Sequence, residues 1–270
     1  MNIFTVLLTE PLANGLVISY RLLGSNMGLA IIGFSLFLVM ILTPLTKPYM
    51  DSMKHMRKYQ KDLERLKQKH KGDKGKYAQA QADFYKEKGI NPSKGCLPYL
   101  LQIAILIAFF RLFMNVFNGG GIADNLNKYL YEPLKFAPNA VVHTQFLYTD
   151  VGKPDAFSVS GLPIKLPGAL LIVSALVQLL SAKITQPFIE EEKKLVKKTP
   201  ETSDDVMVAT QSYMIYMLPF FTLWFGLQFP SGLALYWLVF SGSQAVKQYR
   251  ASGWGGATPW VIALKKLAKN

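Results

Sequence analysis

Between Arg21 and Lys47 the chain carries no charge, and residues 27 to 45, MGLAIIGFSLFLVMILTPL, form an apolar block long enough to cross a bilayer. Three further blocks follow. Residues 97 to 117 open close to Pro98, which a first helical turn tolerates because its missing N–H would be unpaired there anyway. Residues 166 to 182 are short and predict a helix continuing past Lys183 towards Pro187, with the lysine snorkelling to the headgroups. The last block, Val206 to Val246, is uncharged throughout. As one helix it would measure roughly 60 Å, twice a hydrocarbon core of ~30 Å. Gly226 stands where a glycine just past a helix end would, and Pro230 where a proline just inside the next helix would. The block therefore predicts two spans, 211–228 and 233–248, joined by a turn at 229–232. One overlong kinked helix is the alternative.

The pattern before and between these blocks predicts two amphipathic elements. Phe4, Leu8, Leu12, Leu16 and Tyr20 recur every four residues, which puts them on one face of a helix over 1–25. That helix is expected to lie along the membrane surface or, alternatively, to pack against the bundle. Glu10 and Pro11 interrupt it, and no basic leader or small-residue cleavage site accompanies it, so it reads as retained. In 48–96, Met50, Met53, Met56, Tyr59, Leu63 and Leu66 recur at threes and fours. HKGDKGK then supplies turn residues, and Tyr77, Ala80 and Phe84 resume the helical spacing, as in an antiparallel helical hairpin.

Charge orients the blocks. Of the 270 residues half are hydrophobic and 17% charged, with a formal net charge of +13, the signature of a polytopic membrane protein. Lysine and arginine crowd 48–96, whereas 118–165 carries Lys128, Lys135, Lys153 and Lys165 among Asp124, Glu132, Asp150 and Asp155. The positive-inside rule makes 48–96 cytoplasmic. With spans at 26–47, 97–117, 166–186, 211–228 and 233–248, the N-terminus, segment 118–165 and the 229–232 turn fall outside. The loop 187–210 and the basic tail 249–270 fall inside. The fold class is thus an all-α polytopic membrane protein.

The inventory excludes most catalysis. His55, His70 and His143 lie outside the spans without metal-ligand spacing, and no Asp or Glu lies within a span. KGDKGK lacks the phosphate-loop spacing. The lone Cys96 builds no disulfide framework. No enzyme, cofactor or metal is expected. What the spans do hold is scattered polarity: Ser35, Thr43, Gln102, Arg111, Asn115, Ser174, Gln178, Ser181, Gln211 and Gln244. Each is costly against lipid, so each should bond between helices or line a wet groove. Arg111, about 10 Å short of the far end of its span, either snorkels outward or projects into the bundle. On these residues alone a polar groove is suggested, and a channel or transporter and a structural assembly factor remain open.

Several stretches together resemble the YidC family of membrane protein insertases: NMGLAII…TPLTKPYMDSMKHM, YKEKGINPSKGCLPYLLQ, KPDAFSV…LPGALLIVSAL and MLPFFTLWF…FPSGLALYW. The motif positions are Pro44, Pro92, Gly95, Cys96, Pro98, Phe229, Pro230, Ser231, Gly232, Tyr236 and Trp237. The resemblance implies a five-span core with a hydrophilic groove open to cytoplasm and lipid. It implies insertion of nascent membrane proteins into the bilayer of a bacterial plasma membrane, alone or beside the Sec translocon, without nucleotide hydrolysis. Neither a small-molecule substrate nor a specific nucleic acid is implied, although hairpin and tail are expected to touch ribosomal RNA weakly and salt-sensitively. The lipoprotein signal or extra N-terminal span of many members is absent here, so the chain reads as a minimal core. The family's groove arginine falls on Val39, and Arg111 on the facing span is the expected replacement.

Overall fold

The computed structural model describes residues 3–70, 72–89, 96–117, 119, 121–161, 163–185 and 203–268. They form two compact units, Met1–Val39 with Ile105–Asn270, and Met40–Ala104.

In the larger unit a π-helical turn, Thr5–Thr9, leads into helix α1 (Glu10–Leu22), whose first turn holds Pro11 where no N–H is needed. Leu12, Leu16 and Tyr20 are buried, and Ile18 and Leu22 on the other side are exposed. The buried face is fastened to the segment after α5 as well as packed. Asn14 Nδ2 donates to the Tyr129 carbonyl at 2.9 Å and Asn14 Oδ1 accepts the Tyr131 N–H at 2.8 Å. Arg21 donates to the carbonyls of Pro133, Leu134 and Lys135 and lies over the Phe136 ring. Gly24 at φ 72° and Ser25 at φ 53° then turn the chain sharply. Asn26 caps the next helix, its Oδ1 accepting the Leu29 N–H at 3.1 Å.

That helix, α2 (Met27–Lys58), runs through Pro44 and Pro48 instead of ending near Pro44. A proline costs one backbone hydrogen bond and tends to bend a helix, but need not terminate it. The first arm of the expected hairpin is therefore divided: Met50, Met53 and Met56 fall on α2, their side chains outside the described ones. The break comes at Tyr59 (φ −98°, ψ 13°), and α3 (Gln60–Lys69) follows.

In the smaller unit α3 and α4 (Lys74–Glu87) are neighbours. Asp73 caps α4 by accepting the Lys76 N–H at 3.0 Å. The Tyr59 and Phe84 rings meet edge-on at 5.9 Å, and the Lys88 ammonium lies over both. The hydrogen bond from Lys88 to Glu87 holds the lysine pKa above its ordinary value.

Helix α5 (Cys96–Phe117) buries Ile105, Ala108, Phe109, Leu112, Phe113 and Val116, a single face at threes and fours. The segment beyond it, expected only as a loop, is folded. Helix α6 (Ile122–Asn127) and a 3-10 turn at Glu132–Leu134 precede two antiparallel ribbons. In one, β1 (Gln145–Phe146) pairs with β2 (Thr149–Asp150); in the other, β3 (Ala156–Ser158) pairs with β4 (Lys165–Pro167). Three helices follow: α7 (Ala169–Thr185), α8 (Ser203–Gly226) and α9 (Ser231–Ser252), with α7 packed against both of the others. A 3-10 turn at Gly255–Ala257 and helix α10 (Thr258–Leu267) end the described chain.

Two punctuation marks differ from expectation. Gly226 is the last residue of α8, and a Cβ there would collide with Leu171, so it serves the close approach of α8 to α7. Pro230 (φ −51°, ψ 132°) immediately precedes α9 and is not inside it. The described helices also differ in reach. Among the described residues only the window Met27–Pro44 is both long and apolar enough to cross a membrane, with mean hydropathy 2.2; Ile103–Phe117, Ala169–Thr185 and Ile215–Gly226 are shorter apolar runs. The loop 187–210, Pro187 included, lies outside the described residues up to Ser203.

Candidate functional site

Helix α7 carries three buried polar residues, Ser174, Gln178 and Ser181, spaced four and three apart and hence on one face. Apolar neighbours force these groups to find partners on adjacent helices. The Ser174 hydroxyl lies 2.8 Å from the carbonyl of Leu170 in its own helix and 2.9 Å from that of Ala234 in α9. Thr222 of α8 donates to Gln178 Oε1 at 2.6 Å, with both side chains buried. Ser241 of α9 and Ser35 of α2 are buried as well, the Ser35 hydroxyl donating to the Ile31 carbonyl one turn back.

Val39, at the position of the expected groove arginine, is buried, and its carbonyl accepts a hydrogen bond from Lys247 Nζ at 3.2 Å. That contact joins α2 to α9 by a cation, and Lys247 is half-buried. Gln244, one turn earlier on α9, is half-buried too.

Arg111 is placed elsewhere. It sits off the buried face of α5, exposed, with its guanidinium carbon 5.1 Å from the centre of the Phe4 ring. A guanidinium over an aromatic face is a favourable cation–π arrangement, and Arg111 does not project into the buried face of α5. Asn115, four residues on, is exposed and donates to the Tyr129 hydroxyl at 2.9 Å. Thr43 is half-buried in the smaller unit. The side chains of Gln102, Gln211, Cys96 and Pro98 lie outside those described, and Pro92 and Gly95 lie outside the described residues altogether.

The motif residues 229 to 237 hold one end of the helices together. Ser231 donates its N–H to the Lys153 carbonyl at 2.7 Å and its hydroxyl to the Asp150 carbonyl at 3.1 Å. Gly232 donates its N–H to the Val151 carbonyl at 2.9 Å. These are first-turn N–H groups that a helix cannot satisfy itself, and backbone carbonyls of the β2 ribbon region satisfy them. A Cβ on Gly232 would meet Phe113, Ile31 and the Val151 carbonyl, so only glycine lets α9 approach so closely. Phe229 meets the Phe110 ring edge-on at 4.9 Å, and Tyr236 stacks on Phe109 at 4.6 Å. Pro230 is buried, Trp237 half-buried and Pro44 exposed.

Sequence reasoning missed the neighbouring cap on α7. Asp155, only 4% exposed, accepts the Leu171 N–H at 3.0 Å and the Tyr148 hydroxyl at 2.9 Å. Tyr148 in turn accepts the Leu170 N–H. More than half of the Tyr148 side chain is exposed, yet desolvation at its hydroxyl pushes its pKa above the ordinary tyrosine value; the hydrogen bond to Asp155 adds to this. The signal was available in KPDAF, where Asp155 shortly precedes the apolar block. Among the described residues no cluster of three metal-ligating side chains occurs.

A family model described as 60Kd inner membrane protein matches residues 18–253. A curated Fusobacterium nucleatum protein named "Membrane protein insertase YidC" is 33% identical over 224 residues, covering 83% of this chain and 85% of its own length. A protein of the same name from Pelobacter propionicus is 33% identical over 236 residues, covering 87% of this chain but 36% of its own length. Another from Treponema pallidum is 29% identical over 247 residues, covering 88% and 34% respectively. The chain therefore spans about a third of the length of most of these relatives. With the family pattern matched over most of its length, the chain belongs to the 60Kd inner membrane protein family and is a membrane protein.

Proposed function

We propose that this chain inserts newly made membrane proteins into the lipid bilayer, as the names of its relatives state for them. The observation that carries the reading is the family match across residues 18–253. In this reading five spans cross the membrane, with the N-terminus outside and segment 48–96 and the tail in the cytoplasm. Helix α1 lies at the outer surface with Ile18 and Leu22 towards lipid, and α3 with α4 forms the cytoplasmic hairpin.

The working surface is centred on the half-buried Gln244 and Lys247 of α9, with the polar face of α7, Ser35 and Ser241 as buried polar groups of the same unit. A polar surface inside the bilayer shortens the apolar barrier that a client's hydrophilic segment must cross. The client's apolar segment then passes sideways into lipid, and burial of roughly 25 cal/mol per Å² of apolar surface drives the transfer. No covalent step, nucleotide or cofactor is needed. Lys247 at Val39, and not Arg111 at Phe4, supplies the cation that attracts acidic client segments.

A photocrosslinker at Gln244 or Val39 during translation tests this. Crosslinks to nascent membrane proteins, together with rescue of cells depleted of their own insertase, are expected. Crosslinks confined to stable partners, or solute flux through the reconstituted protein, would overturn it.

A further inference from the structure

The segment after α9 is a basic tail by sequence, but it folds back onto the bundle. Gly253 at φ 69° donates its N–H to the Tyr249 carbonyl at 2.7 Å and ends α9. The Trp254 ring then turns onto Tyr249 at 4.7 Å. Ala257, fully buried, packs with Ile184 of α7 and Ala245 of α9, so α10 starts beside the last turn of α7. Its first turn is pinned there: Lys183 Nζ lies 4.6 Å from the centre of the Tyr216 ring and 5.5 Å from that of Trp260. Lys183 thus does more than snorkel. Held between two aromatic faces, it fixes the place where α10 departs.

Beyond that point α10 carries leucines that no neighbour covers among the described residues. Trp260, Leu264 and Leu267 recur at four and three and share one side of the helix, and Leu264 and Leu267 are 65% and 74% exposed. Lys265 and Lys266 stand away from that side. From Val206 to Asn270 the chain contains no Asp or Glu, while Lys247, Arg250, Lys265, Lys266 and Lys269 are all cationic. A tryptophan at the start, leucines along one face and lysines flanking Ile262 on the other is a pattern suited to a helix lying in a membrane interface. The unopposed positive charge selects an anionic surface.

We propose that α10 is an interfacial helix seated on the cytoplasmic leaflet, with Trp260, Leu264 and Leu267 at the acyl boundary and Lys265 and Lys266 against anionic headgroups. It rests on the reading of α7 and α9 as membrane spans. The seat is continuous with the lipid-facing surface of α7, where Leu176 is 59% exposed. The tail accordingly holds the ends of α7 and α9 at the membrane surface and is not held out towards the ribosome.

The test uses the full chain with Cys96→Ser, reconstituted in phosphatidylglycerol-containing or pure phosphatidylcholine vesicles, with nitroxide labels at Leu176→Cys, Leu264→Cys or Lys265→Cys. Expected is a Leu264 label that collides more with oxygen than with a water-soluble nickel chelate, and a Lys265 label that does the reverse. The Leu264 label should shift towards water in phosphatidylcholine, or when Lys265→Gln and Lys266→Gln remove the charge. A Leu264 label in water while the Leu176 label stays in lipid overturns the proposal and leaves the span reading intact. A Leu176 label in water overturns the span reading itself. Equal depth in both lipids overturns the headgroup assignment, and protection appearing only when ribosomes are added identifies RNA as the occupant instead.

Discussion

Across sixteen residues of chain, the Asp155 carboxylate accepts the backbone N–H of Leu171 at 3.0 Å. The same oxygen takes the Tyr148 hydroxyl at 2.9 Å, so one buried side chain ties the start of α7 to the turn between β1 and β2. Gly168 makes room for it, because a Cβ there would run into the carboxylate. Removing a buried acceptor costs about 1–3 kcal/mol for each polar group left unpaired. Asp155→Ala is expected to lower the thermal midpoint of the detergent-solubilised protein by several degrees, and Asp155→Asn, which keeps an acceptor oxygen, by less. Equal midpoints for the wild type and Asp155→Ala would show that water replaces the carboxylate at no cost.

Lys247 and Arg111 make opposite predictions. If the half-buried Lys247 cation at the Val39 carbonyl draws acidic client segments, Lys247→Met should reduce their insertion roughly three- to tenfold, the worth of about 1 kcal/mol of attraction. Lys247→Arg should restore most of it. Clients with neutral tails should be little affected, which separates lost attraction from lost folding. Arg111→Ala should leave both client classes alike, since the guanidinium is spent on the Phe4 ring. Insertion assayed in proteoliposomes with paired acidic and neutral clients reads all four outcomes. A larger acidic-specific loss in Arg111→Ala than in Lys247→Met would return the role to Arg111.

What the sequence made legible follows from which forces act locally. Of the period-four face Phe4, Leu8, Leu12, Leu16 and Tyr20 the last three are buried and the first two half-buried, and the helix break between Gly226 and Ser231 falls where an uncharged run became too long. Those readings need only spacing and length. The polar side chains were visible as misfits in apolar helices, but their partners were not. The pairing of Gln178 with Thr222 spans 44 residues and depends on which faces of α7 and α8 meet. Arg111 illustrates the limit: its depth in the helix could be counted, but its direction depended on Phe4, over a hundred residues away. The ribbons between α6 and α7 leave no such trace, because strands of two or three residues are too short to show alternation.

The α4 cap gives a pH dependence with a definite sign. Asp73 Oδ1 accepts the Lys76 N–H at 3.0 Å and Oδ2 lies 3.2 Å from Lys76 Nζ. The backbone hydrogen bond, and after it the side-chain contact with Lys76, hold the carboxyl pKa below its ordinary value. A carboxylate depressed in the folded state contributes stability that is complete above its unfolded pKa of about 3.9, and that stability is lost as pH falls through the lower folded value. The start of α4 should therefore fray only in acid. In a titration of the full chain followed by the Lys76 amide resonance, the downfield shift of a hydrogen-bonded proton should persist to below pH ~4 and then disappear. Asp73→Asn, which keeps an uncharged cap, should abolish the acid transition while retaining the helix start; Asp73→Ala should show the frayed signal at every pH. A Lys76 amide that titrates at or above the ordinary aspartate value would mean that the carboxylate is not held by α4.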